Sequence, residues 1–207
     1  MVKECKKNVI AKDAYIGKTV ILGHPGKGDK EALLSGDWSK LEGTKIGAKC
    51  IIREGTIVYS STSIGEGSQT GHFALIRENV KIGKGCVIGT TTVIENEVTI
   101  GDRVSIQSGV FIPTYTTIED DVFVGPRVCL TNDKYMGRTP QMPMKGAHVE
   151  KGARIGANST ILPGIRIGKD SVIGSASVVT HDVEPYSVVC GNPARKVGTV
   201  PKEHRRY

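Results

Sequence analysis

Aliphatic residues recur at every sixth position along most of this chain. An amphipathic α-helix repeats about every 3.6 residues and a lone strand about every two, so neither explains this period. A short strand followed by a turn does explain it. The first series consists of Ile46, Ile52, Val58, Ile64, Thr70, Ile76, Ile82, Ile88, Ile94, Ile100, Ile106, Ile112, Ile118, Val124 and Leu130, and a second, in shifted register, of Val149, Ile155, Ile161, Ile167, Ile173 and Val179.

Small or β-branched residues, such as Cys50, Thr56 and Val104, follow the aliphatic positions four residues later. They suit a crowded interior, while Gly, Asn, Asp and Lys between them suit turns. Each six-residue unit therefore predicts one flat side of a prism. Three sides make a coil of about 18 residues, and coils stacked at about 4.8 Å pair their backbones in parallel. The pattern predicts an all-β fold, a parallel β-helix in one domain over residues 1–207.

Three segments depart from this period. An insertion covers about residues 24–42, although Ile10, Ile16 and Leu22 before it already share the first register. A protruding loop covers about residues 134–147, and a closing segment about residues 180–207. Long loops in a compact repeat usually serve function, so the loops are the places to look for chemistry. The string GHPGKGD in the insertion lacks the full phosphate-loop spacing and is a weak signal.

Composition narrows the possible partners. The formal charge is +7, but basic residues are mixed with acidic ones except near the C-terminal end, and no aromatic residues accompany them for base stacking. No apolar run is long enough to span a bilayer, and no signal peptide is evident. The five cysteines lack a C-x-x-C pair, which disfavours disulfides and zinc. We therefore expect a cytoplasmic protein that binds neither nucleic acid nor membrane and holds no metal.

The repeat resembles a known family at the stretch IGKGCVIGTTTVIENEVTIGDRVSIQ. This spacing is similar to that of the hexapeptide-repeat acyltransferases, and the string Gly191 to Arg195 resembles their closing segment. The resemblance covers most of the chain from Ile46 onward. It implies a left-handed helix of coils, a homotrimer and acetyl-coenzyme A as the acyl donor. The handedness is taken from the family, since parallel crossovers are otherwise right-handed.

Residues 18 apart are expected to stack at one corner of the prism. Counting by 18 places Glu78, Asn96, Thr114 and Asn132 in one column, and Asn79, Glu97, Tyr115 and Asp133 in the next. The stretch DDVFVGPRVCLTNDKY leads from the last regular coil into the protruding loop. It resembles the nucleotide-linked amino-sugar N-acetyltransferases, which carry a Thr-Asn pair before this loop. The resemblance implies that the asparagine beside the acetyl thioester is Asn132.

We expect Asn132 and Asp133 to be catalytic and Thr114 and Asn96 to contact the acceptor. Some members of the family have an acidic residue where this chain has Thr114, so the resemblance does not identify the acceptor sugar. A sugar amine, partly neutral near neutral pH, can attack a thioester when it is positioned and the oxyanion is stabilised. In this hypothesis Asn132 or Asp133 holds the amine, and a backbone N–H receives the oxyanion.

Histidines bear on the choice between amine and hydroxyl acceptors, because a hydroxyl needs a stronger base. The branch of the family that acetylates antibiotics and hydroxyl groups commonly has a histidine in or beside the loop. None lies between Asn132 and Ala147, although His148 follows the loop directly. His72 falls at a different corner by the count and is expected to lie away from the reaction centre.

Coenzyme A needs a groove for its pantetheine arm and cations for its phosphates. In the family the later coils and the closing segment form that groove, which implies backbone contacts at Gly156, Gly174 and Ala176. Arg195 and Lys196 could pair with phosphates, unless they belong to a solvated tail.

Four other functions compete with this interpretation. The histidines lack the spacing of a zinc-dependent carbonic anhydrase, and too few residues precede the coils for a nucleotidyltransferase domain. An O-acetyltransferase and a non-catalytic scaffold stay open. The acceptor and its nucleotide are not determined.

Overall fold

The computed structural model describes residues 5–139 and 141–207, so the first four residues of the predicted domain and Pro140 of the predicted loop lie outside the described residues. Nearly every strand is two residues long. Apart from the strands at the ends of the sheets and the closing hairpin, each pairs in parallel with the strand one coil above and the strand one coil below. The strands form three sheets, which we call faces A, B and C. Together they build a left-handed parallel β-helix, the predicted fold class.

Each face collects every third strand of the chain. Face A contains β1 (Val9–Ile10), β4 (Lys45–Ile46), β7 (Ser63–Ile64), β10 (Lys81–Ile82), β13 (Thr99–Ile100), β16 (Thr117–Ile118), β19 (His148–Val149) and β22 (Arg166–Ile167). Face B contains β2 (Tyr15–Ile16), β5 (Ile51–Ile52), β8 (Gln69–Thr70), β11 (Val87–Ile88), β14 (Ser105–Ile106), β17 (Phe123–Val124), β20 (Arg154–Ile155) and β23 (Val172–Ile173). Face C contains β3 (Ile21–His24), β6 (Ile57–Tyr59), β9 (Leu75–Ile76), β12 (Val93–Ile94), β15 (Phe111–Ile112), β18 (Cys129–Leu130), β21 (Thr160–Ile161) and β24 (Val178–Val179).

The six-residue period fills the interior of the prism. The second residue of most strands points inward; Ile52, Ile94 and Ile112, for example, are fully buried. Full burial of such a side chain stabilises the folded state by about 1.5–3 kcal/mol, before the opposing loss of conformational entropy is counted. Thr70, the exception in the series, is also buried, and its hydroxyl lies 3.2 Å from that of Thr56.

Small polar residues at the corners join one coil to the next. The hydroxyl groups of Thr62, Ser68 and Thr92 donate to backbone carbonyls fifteen residues later, at 2.7, 2.8 and 3.0 Å. These buried hydroxyl groups therefore have partners and do not carry a desolvation penalty. The predicted corner residues thus stabilise the stacking of coils.

Both excursions leave the prism at the same corner, where face C passes to face A. The first runs from the end of β3 to β4 and contains the short helix α1 (Lys30–Ser35). The second runs from the end of β18 to β19. Because of the first excursion, β1 pairs with β4 across 36 residues, with Ile10 opposite Ile46.

The closing segment forms a hairpin on face B. In it β25 (Ser187–Gly191) pairs in parallel with β23, and β26 (Ala194–Thr199) pairs antiparallel with β25. A 3₁₀ turn, Lys202–His204, follows. In the part of the chain that the structure describes, no helix is long and apolar enough to cross a membrane.

Candidate functional site

The column predicted by counting in eighteens is present at the corner between faces C and A. The Thr114 hydroxyl donates to Asn96 Oδ1 at 3.0 Å, and Asn132 Nδ2 donates to the backbone carbonyl of Thr114 at 3.3 Å. Thr114 is buried, whereas Asn96 and Asn132 are half-buried. Three of the four predicted site residues that lie at this corner therefore form one hydrogen-bonded ladder.

Asn132 also closes the root of the protruding loop. Its carbonyl accepts a hydrogen bond from the backbone N–H of Lys145 at 2.8 Å. The returning chain packs tightly at Gly146, where an added Cβ would lie 2.4 Å from the backbone nitrogen of Thr116. Among the described residues, no hydrogen-bond donor contacts Asn132 Oδ1.

Asp133 caps the first turn of the loop. Its two carboxylate oxygens accept backbone N–H groups, one from Tyr135 at 2.8 Å and the other from Gly137 at 2.6 Å. The hydrogen bond from Tyr135, followed by that from Gly137, lowers the pKa of the Asp133 carboxyl. The residue is therefore ionised at neutral pH, and much of its hydrogen-bonding capacity holds the loop.

A cleft of about 670 Å³ lies between the loop and the coil before it. Asp133 lines it, together with Tyr115, Met142 and Met144, which are 53%, 52% and 48% exposed. Counting by 18 places Tyr115 beside Asp133 without giving it a role, and the six-residue period does not point to either methionine. Apolar side chains within a polar loop were the available signal.

His148 lies on the outer side of face A, just after the loop. Its Nε2 is 2.8 Å from Glu119 Oε1, and both side chains are partly exposed. His72 lies at a different corner, between faces B and C, where its ring is 3.7 Å from Glu54. As expected from the count, His72 is away from Asn132.

The residues predicted to contact coenzyme A follow the corner between faces B and C. Gly156 and Gly174 already have packing reasons to be glycine: an added Cβ would lie 2.5 Å from the backbone nitrogen of Ser175 or 2.7 Å from Cys190 Cβ. Ala176 is exposed in a left-handed conformation, with φ of 57°. These three residues therefore place no large side chain at this corner. Because packing already requires glycine at Gly156 and Gly174, the glycines alone do not indicate a ligand.

Arg195 and Lys196 lie on β26, where both are exposed. They line a cleft of about 330 Å³ at the last coil, whose wall includes Val179, Val189 and Glu184. The two cations therefore lie on β26 beside a cleft, with both side chains exposed to solvent.

The candidate groups occupy two corners of one prism. Asn96, Thr114, Asn132 and Asp133 are at the corner between faces C and A, and Gly156, Gly174 and Ala176 are at the corner between faces B and C. Face C lies between the two corners, so a single chain does not bring them together. Within the described residues, no group of three or more His, Cys, Asp or Glu side chains could hold a metal ion.

The sequence matches the family model described as "Bacterial transferase hexapeptide (six repeats)" at residues 61–96, 79–114 and 146–181. These stretches lie on both sides of the protruding loop, and the coil directly before the loop, β16 to β18, is outside them.

Individual relatives match over short stretches. A chloramphenicol acetyltransferase of Klebsiella aerogenes is 58% identical over 43 residues, which are 21% of this chain and 20% of that protein. A dTDP-3-amino-3,6-dideoxy-alpha-D-galactopyranose 3-N-acetyltransferase of Aneurinibacillus thermoaerophilus is 52% identical over 52 residues, 25% of this chain and 27% of that protein. The chain thus matches only about a quarter or less of these relatives' length.

Among solved structures, a hexapeptide-repeat-containing acetyltransferase of Vibrio cholerae is 26% identical, with a TM-score of 0.46, over 67% of this chain and 74% of that one. Over residues 61–114 and 146–181 the chain is similar to the hexapeptide-repeat bacterial transferases, and its three parallel faces and aliphatic interior agree with that similarity.

Proposed function

We propose that this protein transfers an acetyl group from acetyl-coenzyme A to the amino group of a nucleotide-linked amino sugar. The observation that carries the proposal is the ladder of Asn96, Thr114 and Asn132 at the root of a loop with its own cleft. The relatives support it, because they are named as acetyltransferases, and one of them is named for a dTDP-linked amino sugar.

In the proposed reaction the neutral amine nitrogen attacks the thioester carbonyl carbon. A C–N bond forms, the oxyanion is stabilised by a backbone N–H, and the C–S bond then breaks. The proton lost by the nitrogen ends on the departing thiolate, which leaves as the thiol of coenzyme A. Holding the amine in position supplies much of the rate, since aligned reactants avoid a large entropic cost.

Asn132 is the better candidate to hold the amine. Its Oδ1 accepts no hydrogen bond within the described part of the chain, while both oxygens of Asp133 already accept backbone N–H groups. Asp133 then acts mainly by ordering the loop and by adding negative charge beside the amine. Thr114 and Asn96 set the orientation of Asn132 from the coils before it.

Acetyl-coenzyme A is proposed to lie along the corner of Gly156, Gly174 and Ala176, with its phosphates near Arg195 and Lys196. Since this corner and the corner of Asn132 are separated by face C, the proposal includes a homotrimer. A neighbouring copy then brings its coenzyme A surface to the loop. We place the enzyme in the cytoplasm, where acetyl-coenzyme A is available.

A second candidate function is O-acetylation of a hydroxyl acceptor. The 2.8 Å contact between His148 Nε2 and Glu119 Oε1 favours it, because a carboxylate partner orients an imidazole for proton transfer from a hydroxyl group. The chloramphenicol acetyltransferase relatives are consistent with it.

The test is an acceptor screen that measures release of the coenzyme A thiol. Amino sugars linked to nucleotides are compared with the same sugars bearing a hydroxyl group at that position, and products are identified by mass spectrometry. We expect amide products. Ester products that disappear in His148→Ala would establish the second candidate. If acetyl-coenzyme A neither reacts nor raises the melting temperature, the protein is a scaffold and the proposal is wrong.

A further inference from the structure

The chain beyond β26 turns back along the prism. Val200 is buried, and its N–H donates to the carbonyl of Tyr186 at 2.7 Å. The backbone N–H groups of Arg206 and Tyr207 then donate to the Asp170 carboxylate at 3.1 and 2.7 Å. We call residues 200–207 the clasp.

Asp121 is the second anchor of the clasp. Its side chain is fully buried, two coils before Asp170 at the corner between faces A and B. It accepts hydrogen bonds from Arg103 at 2.9 and 2.8 Å, and it also contacts the Arg206 guanidinium and the Tyr207 hydroxyl. The hydrogen bond from Arg103 lowers the pKa of Asp121 to about 2, so the anchor is charged at neutral pH.

Aromatic contacts hold the clasp between these anchors. The Arg205 guanidinium lies 4.3 Å from the centre of the Tyr186 ring, and the Lys151 ammonium lies 4.7 Å from the centre of the Tyr207 ring. Such cation–π contacts favour one path of the chain over the surface. The clasp therefore connects the hairpin of β25 and β26 to the coils that carry Asp121 and Asp170.

The hairpin has few other attachments to the prism. In the described structure β26 pairs with β25 alone, and β25 pairs with β23 through Val188 opposite Val172 and Val189 opposite Ile173. One further bond joins the N–H of Gly191 to Ser177 Oγ at 3.1 Å. A hairpin joined to the rest of its sheet by so few bonds opens easily unless another contact holds it.

We propose that Asp121 and Asp170 are positioning residues that, through the clasp, fix β26 and thereby Arg195 and Lys196. The clasp sets the angle at which the hairpin presents these two cations. The expected effect of the clasp on the binding of acetyl-coenzyme A rests on the proposed function. Its expected effect on the order of β26 is independent of that function.

The test compares Asp121→Asn and Arg206→Ala with the parent. Asparagine tolerates the left-handed backbone at position 121, where φ is 61°, and Arg206 is in an outer segment, so both variants are expected to fold. We expect faster hydrogen exchange at residues 194–199 in both. We also expect the KM for acetyl-coenzyme A to rise about fivefold while kcat stays within about twofold, as for loss of uniform binding. Lys202→Ala, an exposed change within the clasp, is the matched control and should alter neither quantity.

A double-variant cycle separates positioning from general destabilisation. In a protein that already carries Arg195→Ala and Lys196→Ala, Asp121→Asn should raise KM no further, because the cations it positions are gone. A KM increase that persists in this background, or unchanged exchange in residues 194–199, overturns the inference. If the parent fails to bind acetyl-coenzyme A at all, the proposed function is wrong, and the exchange measurement alone decides the clasp.

Discussion

The two excursions leave the same corner of the prism, yet they are held in different ways. The first is fixed by packing: the His24 ring lies 4.6 Å from that of Tyr59 and 5.4 Å from that of Trp38. At its root Asn8 Oδ1 accepts the N–H of Thr44 at 2.9 Å. The second is fixed mainly by backbone bonds at Asn132 and Asp133, and it leaves its methionines exposed.

The two excursions also differ in their balance of acidic and basic residues. The first excursion carries Lys27, Lys30 and Lys40 with Asp29, Glu31, Asp37 and Glu42. The second carries Lys134, Arg138 and Lys145 with Asp133 alone. A loop that uses few side chains for its own structure, and keeps an excess of cations, has groups left for an anionic ligand. The first excursion is therefore held by contacts among its own side chains, and in the proposed function the second excursion is the one that binds the acceptor.

The largest expected effect is that of Asn132→Ala. It removes the side chain proposed to hold the amine, and a misplaced reactant costs about 100-fold in rate. We expect kcat/KM to fall by that factor while the melting temperature stays within about 2 °C, since the backbone bond to Lys145 remains. Steady-state kinetics and thermal unfolding check this, and an unchanged kcat/KM would count against the proposed site.

Trp38→Ala, in the first excursion, should lower stability and leave activity unchanged, the opposite of Asn132→Ala. It removes a partly buried ring that packs against His24, so the free energy of unfolding should fall by about 2 kcal/mol, below the usual cost of a fully buried aromatic residue. The kcat/KM value should not change. Urea denaturation and kinetics on the same sample test both parts. Loss of activity in a fully folded variant would show that the first excursion also takes part in the chemistry.

Thr114→Val tests the ladder with a smaller change. It keeps the shape but removes the donor to Asn96, while the backbone carbonyl that accepts from Asn132 remains. We expect kcat/KM to fall about fivefold, the equivalent of about 1 kcal/mol. Thr62→Val, at the same corner but far from the loop, is the control for loss of a buried hydroxyl, and it should lower stability alone. Equal kcat/KM values for the two variants would show that the ladder does not contribute to catalysis.

The smallest effect is the acid response of the loop. Because the folded-state pKa of Asp133 is lowered, its cap is fully formed above the unfolded value of about 3.9 and is lost as pH falls through the lower folded value. The amide resonance of Gly137 should therefore stay constant from neutral pH to about 4 and shift below it. A transition above pH 4 in an NMR titration would mean that another group controls the loop.

The sequence predicted the fold because each interior position repeats with the same spacing. It also predicted the column of Asn96, Thr114 and Asn132, because stacking depends only on residue count. It did not predict that Asp133 caps the loop, since that depends on the local backbone path. The contact of Arg206 with Asp121 was also missed, because the sequence does not say which of many charges a returning segment will meet.

Matched replacements of the two excursions separate a structural role from a catalytic one. One variant replaces Lys30–Ser35, a helix without buried residues, by a Gly-Ser linker of equal length, and the other does the same for residues 135–143. The measurement is kcat/KM for acetyl transfer to the amino-sugar acceptor, with circular dichroism confirming that both variants fold. We expect near-parental activity for the first variant and a loss of at least about 100-fold for the second. Retained activity in the second variant would contradict the role proposed for the second excursion.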